Sequence, residues 1–369
     1  VGFLLSCTAV MGADENYLLI KKEGEEIKFS TDNGTTAGTD NPYEENTWDG
    51  TEYVNNIALN STGTSSNYGL KLKGDLGNIN FTNNSSIIAT GSSSSYGIYN
   101  EGGTIGTLTN SGIITGASTG TYGSSNGIYN IAASITELKN SGIITGTSTG
   151  TYGSSNGIYN KKNSFDAAIE ILLNNGIITG TASTSDSGSG SGIYNEGGTI
   201  GTLTNNGRIT GITTGTYDYS YGIRNEGGTI GTLTNNGRIT GTSENRNGHG
   251  IYNMNDPIGT LINNGRITGT STNGYGYGIY NIDASITELK NSGIITGTAD
   301  DGYGHGIYHD EMNINIEKLT NNGIITGTST NGYGYGIDTS MNNAVIKILV
   351  NNGTITGTSE NSDGYGIYT

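Results

Sequence analysis

Two short motifs offer acid–base chemistry. Gly248-His249-Gly250 and Gly304-His305-Gly306 each present an imidazole, and Asp300-Asp301 lies just ahead of the second. Imidazole titrates near neutral pH, and a carboxylate works as a general acid only where its surroundings perturb it. Yet Tyr96, Asn126, Ser191, Tyr277 and Tyr335 fill the same slot in other copies of the same phrase. Repetition dilutes any single site, so His249 and His305 read as occupants of a variable loop position. Metal-ligand spacing is absent too. Gly334-Tyr335-Gly336-Ile337-Asp338 lacks the second rank of Asp that a calcium-binding repeat carries. The expectation is a protein with no catalytic residue, no metal and no cofactor.

Recognition chemistry is more abundant. Tyr99, Tyr129, Tyr159, Tyr194, Tyr252, Tyr280, Tyr308 and Tyr368 each follow a fixed Ile. Arg224 and Asp338 take the same slot, so it faces outward. Packing alone explains stacked Tyr on neighbouring strands. The same stripe also suits binding to a glycan or a protein, because Tyr brings rigid contact area with a polar tip. Thr-Gly-Thr pairs such as Thr240 and Thr242, or Thr268 and Thr270, form a second rank. Alternation puts both Thr outward, where the strand is expected to end and a loop to begin. Asn100 through Asn281 recur two residues after the fixed Ile, and Asn110 through Asn351 two residues after a fixed Leu. Both sets should point inward and hydrogen-bond from copy to copy.

These residues belong to one phrase written about ten times. A Gly-Ile pair opens each copy, at Gly97, Gly127, Gly157, Gly192, Gly222, Gly250, Gly278, Gly306, Gly336 and Gly366, in steps of 28 to 35 residues. A period in this range marks a solenoid or a related array. Each copy holds three short runs, as in Ile223 to Asn225, Ile230 to Asn235 and Arg238 to Thr240. Turn formers separate them, here Glu226-Gly227-Gly228 and Asn236-Gly237. In the third run one slot accepts Ile143, Arg238 or Thr354 and so faces water. The next is always Ile, from Ile114 to Ile355, and so faces a core. Ile105 and Leu108 are three apart, which demands a bulge or corner between them. One copy cannot enclose a core, but stacked coils can, each Ile over its equivalent. The expected fold is all-β: a single-stranded, right-handed parallel β-helix (β-solenoid) of about ten coils with three short strands per coil. At about 4.8 Å per coil its core is roughly 45–50 Å long.

The chain has 369 residues, 64 of them Gly, and a formal net charge of −16. Abundant Gly, Ser, Thr and Asn ordinarily suggest disorder, but a slot kept aliphatic through every copy argues against it. Strong acidity disfavours nucleic acid and anionic membrane as partners. Val1 to Ala13 is apolar and ends on small residues ahead of Asp14. That reads as the remnant of a secretory signal; a lipoprotein signal around Leu4-Leu5-Ser6-Cys7 and a buried first strand are the other readings. Cys7 is the one cysteine, so no disulfide is expected in the exported chain. Residues 14–60 should cap the open N-terminal edge with two or three strands. Residues 61–369 form the repeat domain. Its first coil is degenerate, with Phe81 in the Leu slot and Asn78 in the Ile slot. The insertion near Lys161 to Ala168 should bulge from a corner. The chain stops at Thr369 inside a coil, and it is expected to continue.

A signal-like start, no later cysteine, and repeats of Asn-Gly-x-Ile-Thr-Gly and Gly-Ile-Tyr-Asn resemble the passenger domains of bacterial autotransporters, the type V secretion family. The resemblance covers roughly Gly69 to Thr369 and rests on repeat style. It implies export through the outer membrane and release or display at the cell surface. It also implies work as an adhesin or other host-interaction and virulence factor. The partners it implies are a host-cell surface protein or glycan, or neighbouring bacterial cells. Neither nucleic acid binding nor direct membrane insertion by this segment is expected. A translocator β-barrel is expected beyond Thr369, recognisable by alternating amphipathic strands. The Thr ranks resemble the flat faces of ice-binding solenoids, which is the alternative function. The Gly-His-Gly motifs are similar to those of β-helical pectin hydrolases, a second alternative. The Asn-Thr-Asp and Arg-x-Lys partners of those enzymes are absent here.

Overall fold

Runs of about six alternating residues, broken by Gly and Asn, specify short strands. The computed structural model describes residues 9–10, 17–32, 35–183, 188–310, 315–341 and 344–369, and among them it contains strands and no helix. The strands stack into three sheets, one from each run of the repeat. The first run builds a 13-stranded tyrosine sheet, from Leu18–Glu23 and Glu26–Ser30 through Asn67–Lys73 to Gly364–Tyr368. The second builds a 12-stranded leucine sheet, from Thr47–Trp48 to Val345–Asn351. The third builds a 12-stranded threonine sheet, from Ala9–Val10 through Leu59–Gly63 to Thr354–Ser359. Coils pair in parallel and in register: Ile239 lies beside Ile267, and Ile267 beside Ile295. The chain is the β-solenoid that its period implies.

The interior is made of columns. Ile98 to Ile337 on the tyrosine sheet, Ile105 and Leu108 to Ile316 and Leu319 on the leucine sheet, and Ile114 to Ile325 on the threonine sheet are all buried. Each such side chain contributes about 1.5–3 kcal/mol by leaving water. Gly106 and Thr107 stay half-buried between two buried neighbours, so the strand bends there, as the spacing of three requires. The tyrosine and threonine sheets press together at backbone distance. A Cβ on Gly127 would meet Ile144 Cγ2 at 2.5 Å, and one on Gly241 would meet the His249 carbonyl oxygen at 2.0 Å. Only glycine fits at these two positions.

Two asparagine ladders run inside the corners. Asn100 Nδ2 donates to Asn130 Oδ1 at 2.8 Å, and the pattern repeats through Asn160, Asn195, Asn225, Asn253 and Asn281. The second ladder links Asn110 to Asn140 and continues to Asn351 with the same 2.8 Å spacing. From Asn110 to Asn321 each second-ladder Nδ2 also donates to a nearby carbonyl, as Asn110 does to Gly112 and Ile143. A buried amide is tolerable because it is paired in this way. A third, outer ladder of exposed amides (Asn206 to Asn175, Asn236 to Asn206, Asn264 to Asn236) was not evident from the repeat pattern.

The first coils depart from expectation in detail. Ile79, not Asn78, takes the Ile slot and pairs with Ile105. Asn78 has φ 62, a left-handed conformation that Asn tolerates, and it belongs to the turn. Residues 14–60 hold more than two or three strands. Leu18–Glu23 and Glu52–Asn55 are already parallel rungs, paired with Asn67–Lys73 and Ile79–Asn83. Glu26–Ser30 and Thr47–Trp48 add antiparallel edges that close two of the sheets. Phe29 packs on Trp48 and Tyr53, and Tyr53 stacks on Phe81, which ends the Leu column in aromatic rings. Of the expected signal segment, 1–13, only Ala9–Val10 lies among the described residues, and its backbone pairs with Leu59–Asn60. The insertion does leave the rod at a corner, where Phe165 is exposed.

Candidate functional site

The tyrosine sheet carries the richest surface. In its strands from Ser95–Glu101 onward Gly and Ile both face the interior: Ile98 is buried, and a Cβ on Gly97 would strike Ile114. The residues on either side, Tyr96 and Tyr99, therefore share the outer face, with ring centres 5.0 Å apart. Two columns result. The outer one is the stripe read from the sequence: Tyr99, Tyr129, Tyr159 and Tyr194, then Tyr252, Tyr280 and Tyr308, then Tyr368. Ring centres within it lie 4.7–5.4 Å apart, and the rings are half-buried, apart from the more exposed Tyr368.

The second column holds the histidines. His249 stacks between Tyr221 and Tyr277, and His305 between Tyr277 and Tyr335, at 4.9–5.1 Å. This corrects the loop reading: both lie inside strands and are only 1% and 2% exposed. A flat imidazole replaces a phenol ring in the stack from Tyr221 onward, whereas Asn126, Asn156 and Ser191 fill the slot without a ring in the earlier coils. His309, which the motifs did not single out, is buried as well and continues the first asparagine ladder beside Asn281. Tyr275, Tyr303 and Tyr333 line the adjoining loop edge as a third, more exposed row.

Burial sets the charge of this face. It pushes the His249 imidazole down to about 3 from its ordinary 6.5. The Ser220 backbone pulls the other way, but neither ring nitrogen makes a hydrogen bond. Burial also pushes the Tyr280 phenol up to about 12, and raises Tyr308 further with help from Asp310. At neutral pH the columns present protonated phenols and neutral imidazoles.

No protein-family model, curated protein or solved structure matches the chain.

The outer column is interrupted three times. Lys71 precedes Tyr99 and places Nζ 4.8 and 4.9 Å from the rings of Tyr68 and Tyr99. Arg224 sits between Tyr194 and Tyr252 and lays its guanidinium 4.4 Å from Tyr194 and 5.0 Å from Tyr221, paired with Glu226. Asp338 sits between Tyr308 and Tyr368. Its Oδ1 accepts from the Ser340 hydroxyl at 2.7 Å and backbone N–H at 3.0 Å, and Oδ2 lies 3.2 Å from His305 Nε2. Burial would raise its pKa, but these donors outweigh it and hold the carboxyl below its ordinary range. Burial lowers His305 despite the carboxylate beside it. Above the pair lies a cavity of about 530 Å³ lined chiefly by tyrosines. Ser340 bonds to the carboxylate rather than to the imidazole, so this is no nucleophile–base pair.

The threonine sheet offers less. Its Thr pairs occupy the C-terminal half of each strand, as Thr145 and Thr147 do in Ile143–Ser148, and the strand ends at Ser148, whose hydroxyl bonds the Gly123 carbonyl. Arg208, Arg238 and Arg266 fold over Thr210, Thr240 and Thr268, their Nε donating at 3.1–3.2 Å. Those Thr are buried beneath guanidinium groups, so the Thr surface is broken in the middle coils. Among the described residues no group of three His, Cys, Asp or Glu could hold a metal ion.

Proposed function

We propose that this is a secreted or surface-displayed β-solenoid of the autotransporter-passenger kind, acting as an adhesin through its tyrosine face. The supporting observation is the outer column, whose half-exposed rings stack from Tyr99 to Tyr194 and from Tyr252 to Tyr308, flanked by a second ring column that is broken at Asn126, Asn156 and Ser191. Rings locked by their neighbours lose little freedom on binding, and Tyr is among the residues that dominate contact energies. An extended stripe fits an extended partner, such as a host-cell protein or glycan or the surface of a neighbouring bacterium. Tyr252, Tyr280 and Tyr308 form a consecutive part of it. Changing all three to Ser should lower attachment to cells by about tenfold or more, while circular dichroism keeps its strand signature. Undiminished attachment would reject this surface.

A further inference from the structure

The outer column has eleven slots from Lys71 to Tyr368, and eight hold tyrosine. Wherever else a ring is missing, the chain supplies a cation: Lys71 in one case and Arg224 in the other, each over tyrosine faces. Asp338 is the exception. It removes a ring and supplies a carboxylate, and among the described residues no Lys or Arg comes within ion-pair distance of it. Tyr308 below and Tyr368 above flank the gap. Column neighbours stand about one ring thickness plus contact distance apart, so the gap admits one flat or compact group. The cavity of about 530 Å³ is of ordinary size for a small-ligand site.

The charges agree in sign. Asp338 is 5% exposed and its imidazole partner is neutral at physiological pH, so one negative charge stands uncompensated at the base. Aromatic faces are themselves attractive to cations. The net charge of −16 adds a long-range pull of the same sign. We propose that the Asp338 niche binds an organic cation, a guanidinium or alkylammonium group on a flexible stem, as an arginine or lysine side chain of a partner protein presents it. This rests on the reading of the tyrosine face as a contact surface and names the chemistry of its partner. Arg224 is the chain's own template: a guanidinium in the equivalent slot, between tyrosines and beside a carboxylate.

The test is calorimetric titration of the full chain with argininamide, with methyl glucoside as a neutral control. Asp338→Asn keeps the shape and removes the charge. Asp338→Tyr restores the ring that eight other coils carry, so it should fold. Saturable binding of argininamide is expected, weakened about tenfold in D338N and abolished in D338Y. A Gly-Arg-Gly peptide that binds more tightly than argininamide supports a protein partner, and equal binding supports a free amine. No saturable binding by the unaltered chain, undiminished binding by D338Y, or preference for the glucoside would overturn the niche. Attachment that still depends on Tyr252 and Tyr280 while argininamide fails to bind would remove the niche and leave the face.

Discussion

Gly241→Ala should open the rod locally, with a loss above about 4 kcal/mol in the coils it touches. The added Cβ would lie 2.0 Å from the His249 carbonyl oxygen and 2.7 and 2.8 Å from the carbonyl carbon and nitrogen of the same residue. All three are backbone atoms. The strand Arg238–Ser243 is bonded to Arg208–Thr213 and Arg266–Ser271, and Gly248–Met254 to Tyr219–Glu226 and Gly276–Ile282. Neither backbone can retreat without breaking ladders on both sides. In a solenoid each coil touches mainly its neighbours, so the damage should stay local. Hydrogen exchange should quicken at Ile239 and Ile251 and keep its protection at Ile114 and Ile128. Unchanged protection at Ile239 would mean that the two sheets do not meet as closely as described.

Acid should weaken the same region through His249. In the folded chain burial holds the ring neutral down to about pH 3, whereas the unfolded ring titrates at its ordinary 6.5. Below 6.5 the unfolded chain therefore binds the extra proton, and stability falls as the pH drops from 6.5 toward 3. More than about one unit above 6.5 this residue contributes almost no pH dependence. The slope is about 1.4 kcal/mol per pH unit, or about 5 kcal/mol over the full window. His249→Tyr puts in the ring that Tyr221 and Tyr277 already supply on either side. The stability difference between variant and parent should grow by about 2.3 kcal/mol between pH 6.5 and pH 4.5, read from urea midpoints. His305 is lowered in the same direction but is common to both proteins, so the comparison isolates His249. A gap that stays constant with pH would contradict the burial.

Much of this architecture was legible in the repeat. A slot that is always Ile and one that alternates between Ile and Arg differ in which side meets water, and both fell where alternation put them. The inward asparagines followed from the same parity. The histidine column did not, because Gly and Ile face inward together and break the two-residue period. Counting from Ile251 by strict alternation would have turned His249 inward, and its varied equivalents suggested a loop instead. The Thr rank fell outward as expected. Yet Arg238 and Thr240 share one face two residues apart, a spacing that could have warned that the guanidinium would cover the hydroxyl. The Asp338 niche was visible only as a substitution in a stripe. Its volume depends on the difference in reach between a carboxylate and a phenol, which repetition alone does not express.

Every feature of the tyrosine face depends on coils that advance one strand spacing at a time. Nitroxide pairs can measure that advance directly in a chain cleared of Cys7. Thr328 is linked by successive in-register rungs to Thr181, Thr147 and Ala117, five, six and seven coils away. Electron–electron dipolar distances should be about 24, 29 and 34 Å, rising by about 4.8 Å per coil although each coil adds some thirty residues of chain. One broad distribution shared by all three pairs, or steps unrelated to a single strand spacing, would contradict the stacked columns.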